Sequence, residues 1–206
     1  MVFPTKDMER KLIKSGYDFV VGVDEVGVGC LAGPVVACAV SFSPDFYNKS
    51  SDKFKGLRES KLLSSEQREK FMEKLRGQKY KLGICYPKKI DAINIYQATR
   101  TAMRRAIKNV SSKNSQTIVL VDGNKKIKNL EFDQQAIVKG DQKIFAIACA
   151  SIIAKVYRDK MMKRYAKRFP AYGFERHKGY STKIHQDALK QYGPCPIHRR
   201  SFRINY

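Results

Sequence analysis

Val21-Gly22-Val23-Asp24-Glu25-Val26-Gly27-Val28-Gly29 decides how this chain is read. Apolar, mostly β-branched residues carry a strand up to two adjacent carboxylates, and a glycine-rich turn follows at once. Asp24 ends an otherwise apolar strand, where a carboxylate faces either a partner or a metal. Alternation sends Glu25 to the opposite side of an ideal strand, and the glycine turn can re-aim it. Two more acids stand in similar settings. Asp122 ends Ile118-Val119-Leu120-Val121 and precedes Gly123-Asn124, while Asp141 sits in Lys139-Gly140-Asp141-Gln142, just before a helix. Ends of sheet strands are where α/β proteins place sites.

Working outward, residues 18–25 read as a strand and residues 34–43 as a second, β-branched one. Residues 79–86 alternate enough for a third, 117–121 form a short buried strand, and 134–139 a fifth. Helices are expected over 5–15, 64–76, 94–110, 143–168 and 182–192. Ser64 followed by Gln67 is a capping-box pattern, and Pro170 with Gly173 ends the long fourth helix. Residues 44–60 read as a polar loop. Short links let the first three strands pair antiparallel, whereas the later ones need helical crossovers and run parallel. The fold class is therefore α/β, a mixed five-stranded sheet with helices on both faces.

A length of 206 residues suits one domain with a real core. Lys and Arg number 41 against 19 Asp and Glu, a net charge of +22 that calls for an acidic partner. Lysine-rich codon usage accounts for part of this excess. Nucleic acid leads over an anionic membrane, because no apolar run is long enough for a span and the cations are spread along the chain. Five cysteines without a Cys-x-x-Cys pair argue against a zinc site or a disulfide framework, and fit a reducing cytoplasm. The start, Met1 to Lys6, lacks the apolar core of a signal peptide.

A few placed acids inside a basic chain suggest divalent metal held against a polyanion. Mg²⁺ takes oxygen ligands and keeps several waters, so a few carboxylates suffice. Two such ions about 3.5–4 Å apart can activate water and stabilise the leaving oxygen of a phosphodiester. Each acid also has a plain structural reading: Asp141 as an N-cap, Asp122-Gly123 as a turn, Asp24-Glu25 as partners of lysines. Asp159 lies roughly 25 Å of helix beyond Asp141, and Lys155, Arg158 and Lys163 offer it ion pairs. The turn is no Walker loop, since no Gly-Lys-Ser/Thr follows. His177, His185 and His198 are spaced badly for zinc, and His198-Arg199-Arg200 reads as a phosphate contact or solvated patch. Tyr180, between Lys178-Gly179 and Ser181, is either a stacking ring for a sugar or base or a core tyrosine.

These segments together resemble ribonuclease HII. Val23-Asp24-Glu25-Val26-Gly27 with Leu31-Ala32-Gly33-Pro34-Val35-Val36-Ala37 is similar to that family's opening. Ser60-Lys61-Leu62, Asn94-Ile95-Tyr96-Gln97-Ala98-Thr99 and Val121-Asp122-Gly123-Asn124 follow in order. So do Lys139-Gly140-Asp141, the Ala148–Asp159 stretch, Lys178-Gly179-Tyr180-Ser181-Thr182 and His198-Arg199-Arg200-Ser201-Phe202. The resemblance implies a ribonuclease H-like fold, with a catalytic core over 1–168 and a helical substrate-binding segment over 169–206 of the same domain. It implies an endonuclease, dependent on Mg²⁺ or Mn²⁺, that cuts the RNA strand of RNA–DNA hybrids. It further implies cuts 5′ of ribonucleotides embedded in duplex DNA, leaving 3′-hydroxyl and 5′-phosphate ends, as in ribonucleotide excision repair.

Carried over by motif, Asp24, Glu25, Asp122 and Asp141 are the metal-site acids. Gly27, Val28 and Gly29 set backbone groups against the ribose 2′-hydroxyl, Tyr180 stacks on the junction sugar, and Ser60 and Lys61 hold phosphate. The family usually reads Gly-Arg-Gly where this chain has Gly27-Val28-Gly29, so a guanidinium is missing from the turn. Glu59 stands where aspartate is common. A cytoplasmic monomer is expected. The end, Phe202 to Tyr206, carries no clear docking motif for a replication clamp. The competing readings are a non-catalytic binder of RNA or hybrids on the same fold, and a basic structural protein. Neither gives four carboxylates a reason to sit in a basic site.

Overall fold

Strand alternation and helix periodicity place five strands and eight helices in a computed structural model that describes residues 3–48, 52–108, 110 and 115–203. The chain end at 204–206, where a clamp-docking motif was sought, lies outside the described residues. The strands are β1 (Phe19–Val26), β2 (Val35–Ser41), β3 (Lys79–Cys85), β4 (Thr117–Asp122) and β5 (Asp133–Ile137). The helices are α1 (Asp7–Lys14), α2 (Pro44–Asn48), α3 (Ser65–Lys74), α4 (Pro87–Lys108), α5 (Gly140–Lys143), α6 (Phe145–Arg168), α7 (Phe174–His177) and α8 (Lys183–Tyr192). The sheet order is β3-β2-β1-β4-β5. β1 pairs antiparallel with β2, and β2 with β3, while β4 runs parallel to β1 and β5 parallel to β4. This is the mixed sheet expected.

The sheet is buried on both faces. Val20, Val36, Cys38, Val40 and Leu120 pack under α6, and Val21, Val23, Ala37, Ala39 and Val121 under α4. At Gly22 the backbone of α6 comes so near β1 that an added Cβ would sit 2.4 Å from the Ala146 carbonyl carbon. A long helix pressed this closely on the central strand buries both, so neither needs amphipathic patterning. No helix among the described residues is long and apolar enough to cross a membrane.

Three expectations change. Residues 44–60 are not simply a polar loop: α2 and a short 3₁₀ turn at Asp52–Phe54 bring Phe46, Tyr47 and Phe54 into an aromatic cluster with Phe42 and Phe145. Polar neighbours mask those rings in sequence. Helicity also precedes the expected start at 94, because Pro87 opens a first stretch that meets the rest at Asn94 (φ 61°). The Asn94 carboxamide accepts from the Gln97 N–H at 3.0 Å and caps the second part. Ser64 and Gln67 do form both halves of the capping box before α3.

The third change concerns the basic C-terminal motif. His198 and Arg199 are buried, so they are neither a solvated patch nor a phosphate contact; of the three residues only Arg200 is exposed. Beyond α6 the chain folds back as α7 and α8. Leu31, Ala32, Met162, Phe174, Leu189 and Ile197 form its own small core against the turn after β1.

Candidate active site

Strand register puts the first two acids side by side. Val23 of β1 pairs with Val121 of β4, so Asp24 and Asp122 follow at adjacent positions of parallel strands; β4 ends at Asp122, whereas β1 runs on to Val26 and does not end at Asp24 as expected. Both are fixed from behind: the Glu25 N–H donates to Asp24 Oδ1 and the Gly140 N–H to Asp122 Oδ1, each at 2.7 Å. The second bond draws the Lys139–Asp141 segment to β4, and Lys139 turns left-handed (φ 55°) to start α5. Asp141 is thereby brought over the strand ends. All four acids line one cleft of about 350 Å³, with Gly27, Val28, Gly29, Ser60, Lys61 and Tyr180. The ten residues carried over by motif therefore border the same space, whereas His198, Arg199 and Arg200 do not.

Negative charge is crowded here. Burial, then Glu25 and Asp122, push Asp24 well above the usual carboxylate range. Burial and Asp122 raise Glu25 to about 7, against the opposing pull of Arg100. Burial, Asp122 and Glu59 raise Asp141 to about 6. Such mutual repulsion is relieved by a cation, and an all-oxygen donor set suits a hard divalent ion. Among the described residues no three His, Cys, Asp or Glu are placed to hold a metal ion by themselves, so these acids could serve one only as an incomplete set. An ion here would complete its shell with water and substrate phosphate.

The turn after β1 is held by two arginines that sequence reading missed. Gly27 (φ +93°) lies against Arg158, where a Cβ would meet Nε at 2.2 Å. Arg158 donates to the carbonyls of Pro34 (2.9 Å), Ala32 (3.1 Å) and Lys178 (2.9 Å). Arg199 donates to those of Gly27 (2.6 Å), Val28 (2.8 Å) and Gly33 (3.0 Å). Both guanidiniums are fully buried. Burial lowers Arg199 to about 10, so it stays charged at neutral pH. Gly29 differs from Gly27, since a Cβ there meets nothing within 4 Å. Its bareness opens onto the cleft.

The Lys178–Tyr180 loop is pinned to that turn by the Leu31 N–H, which donates to the Gly179 carbonyl at 2.8 Å. The three histidines hold it from the other side. His185 Nδ1–H donates to the Tyr180 carbonyl at 2.9 Å and His185 Nε2 meets His198 Nε2 at 2.9 Å, while the Gly179 N–H donates to His177 Nδ1 at 3.2 Å. Burial lowers His185 and His198 to about 4, which keeps them neutral for this network. Their separation in sequence hides the cluster. Tyr180 itself is 39% exposed and is a wall of the cleft, not a core tyrosine.

Ser151 and Lys155, on one face of α6, also line the cleft. Ser151 Oγ lies 2.9 Å from Ser60 Oγ and hydrogen-bonds Asp24. Lys61 is exposed at the rim, 3.6 Å from Glu59, which accepts from Gln142 Nε2 at 2.8 Å. Asp159 is an ion-pair partner, as its distance along the helix implied, but with Lys155 (2.8 Å) and Arg68 (3.6 Å), not Arg158.

The family model described as Ribonuclease HII matches residues 21–205. The chain belongs to the ribonuclease HII family. It is 47% identical over 201 residues to ribonuclease HII of Caldicellulosiruptor bescii, covering 97% of this chain and 93% of that one. It is 45% identical over 190 residues to ribonuclease HII of Chlorobium chlorochromatii, covering 91% of each. Among solved structures, ribonuclease H2 from Pyrococcus horikoshii superposes with a TM-score of 0.74 at 28% identity, over 90% of this chain and 94% of that one. Ribonuclease HII proteins are metal-dependent endonucleases acting on RNA–DNA hybrids, and that is the activity of this chain.

Proposed function

We propose that this cleft cuts hybrids and also nicks duplex DNA on the 5′ side of single embedded ribonucleotides, leaving 3′-hydroxyl and 5′-phosphate ends. The carrying observation is that four acids from β1, β4 and α5 share one cleft with the glycine turn and Tyr180. In this reading Asp24, Glu25, Asp122 and Asp141 hold Mg²⁺ or Mn²⁺. When bound, the divalent ion supplies an acidified water and neutralises charge on the phosphate. Water adds to phosphorus, the P–O3′ bond breaks, and the departing 3′-oxygen is protonated.

The protein's own groups do the reading. Backbone amides of the Gly27-Val28-Gly29 turn face the ribose 2′-hydroxyl, which distinguishes RNA from DNA. Tyr180 stacks on the sugar at the junction, and Lys61 with Ser60 receives a neighbouring phosphate. Residues 169–206 act as the substrate-binding segment of one domain, and the enzyme works as a cytoplasmic monomer.

The test is cleavage of a labelled DNA duplex carrying one ribonucleotide, beside an all-RNA/DNA hybrid, with Mg²⁺ and with Mn²⁺. A cut 5′ of the single ribonucleotide is expected, with Val28 tolerated in the turn. Cleavage of the long hybrid alone would mean that single-ribonucleotide reading went with the missing arginine. Asp122→Asn should lose at least ~100-fold in rate while keeping or strengthening binding. An unchanged rate would remove the acids from the mechanism. Tight binding without any cleavage by the wild type would leave a non-catalytic hybrid binder.

A further inference from the structure

The acids stand where two cavities meet. Asp24 and Asp141 border the first, and Glu25, Val28 and Asp122 border both it and a second of about 480 Å³ on the α4 side. Its outer wall carries Tyr96, Arg100, Asn124 and Lys125, to none of which the reading so far gives a substrate contact. Tyr96 is 42% exposed. The Arg100 guanidinium carbon lies 5.1 Å from its ring centroid and Lys125 Nζ 5.6 Å. Arg100 Nη1 also donates to the Lys125 carbonyl at 3.2 Å, which ties α4 to the loop after β4 and holds the Arg100 guanidinium beside the ring.

A solvated charged face would not need an aromatic between its cations. An exposed ring flanked by two cations, next to the edge of a phosphodiester site, matches the needs of one nucleotide. Cations take the phosphate and the ring takes the sugar or base. Val28, on the shared wall, brings no charge, so a phosphate passing it on the α4 side finds its counter-charge on Arg100 and Lys125. We propose that this groove is a second nucleotide subsite: the strand passing the Glu25–Asp122 edge sets its next phosphate on Arg100 and Lys125 and lays its sugar or base on Tyr96. This rests on the cleft being the nuclease site.

The chain contains no tryptophan, so Tyr96→Trp introduces a single indole. Titrating it with an RNA–DNA hybrid in EDTA should quench its emission with the same midpoint as the anisotropy of a labelled hybrid. Unchanged emission through a saturating titration would overturn the subsite. An Arg100→Ala/Lys125→Ala variant should bind the hybrid about ten-fold more weakly. Its slope of log K against log[salt] should be shallower by about 1. Because Arg100 also pulls on Glu25, the turnover readout is taken on Lys125→Ala alone: with metal, its KM should rise while kcat at saturation stays within about two-fold of wild type. Affinity and slope equal to wild type would also overturn it. Wild-type protein that binds but cleaves nothing would overturn the nuclease reading instead, because quench and slope are read without turnover.

Discussion

Glu9 is an acid with no place at the catalytic cleft and a large effect on the fold. It is the buried residue of α1, and its Oε1 accepts from the Ala146 N–H at 2.9 Å. Ile144 offers no side-chain cap, so Glu9 supplies the first turn of α6 with an acceptor from 137 residues away. Oε2 has no partner. Burial raises its pKa from 4.5 to about 7, with the Ala146 bond and Lys6 pulling the other way. A raised carboxylate is protonated in the folded state first. Its contribution is therefore intact below pH 4.5 and is lost as pH rises to about 7. The loss is of order 3 kcal/mol. Glu9→Gln keeps an acceptor for Ala146 and cannot ionise. Its stability relative to wild type should improve steadily across that interval in urea unfolding. The difference between the two curves isolates Glu9, because Glu25 and Asp141 titrate in the same range. A constant difference would mean that Glu9 is not buried as a neutral acid.

At the scale of elements, the turn after β1 and the loop before α8 are two irregular segments made rigid by α6 and the C-terminal motif. Replacing Arg199 by Met orphans three carbonyls. A cost of about 3 kcal/mol or more is expected from denaturant unfolding. Hybrid affinity should fall as the turn loosens. The Tm gain on adding Mg²⁺ should persist, because β1 and β4 place Asp24 and Asp122 without the clamp; its loss would show that the clamp also sets the acids. This division explains what could be read in advance. Strands ending in acid were legible, since Ile118 to Val121 and Val20 to Val23 are apolar runs and a carboxylate at their end stands out. Asp141 needed the family resemblance to rise above an N-cap. Arg158 and Arg199 were not legible, because one arginine among 41 basic residues reads as a surface charge. Only the carbonyls around them, scattered from Gly27 to Lys178, reveal their work. Glu9 was hidden likewise, as its helix shows ordinary apolar positions at Met8, Leu12 and Ile13.

Over the whole molecule, a net charge of +22 acts in opposite directions on folding and on binding. Self-repulsion opposes compactness, and added salt screens it. The same salt competes for phosphates and weakens the hybrid complex, by about 0.9 in log K per phosphate contact for each decade. Raising NaCl from 50 to 300 mM should therefore raise Tm while the hybrid Kd increases steeply. A Tm that falls with salt would mean that attractive ion pairs, not repulsion, dominate the surface. The clamp adds a matter of timing. Synthesis runs from residue 1 toward 206, so the turn at Gly27 is made 172 residues ahead of the guanidinium that grips it. A message cut short between codons 169 and 198 would yield a polypeptide with β1, β4 and α6 complete, but without the guanidinium that grips the carbonyls of the turn after β1. The turn after β1 thus takes its final shape only when a residue made 172 positions later has joined the chain.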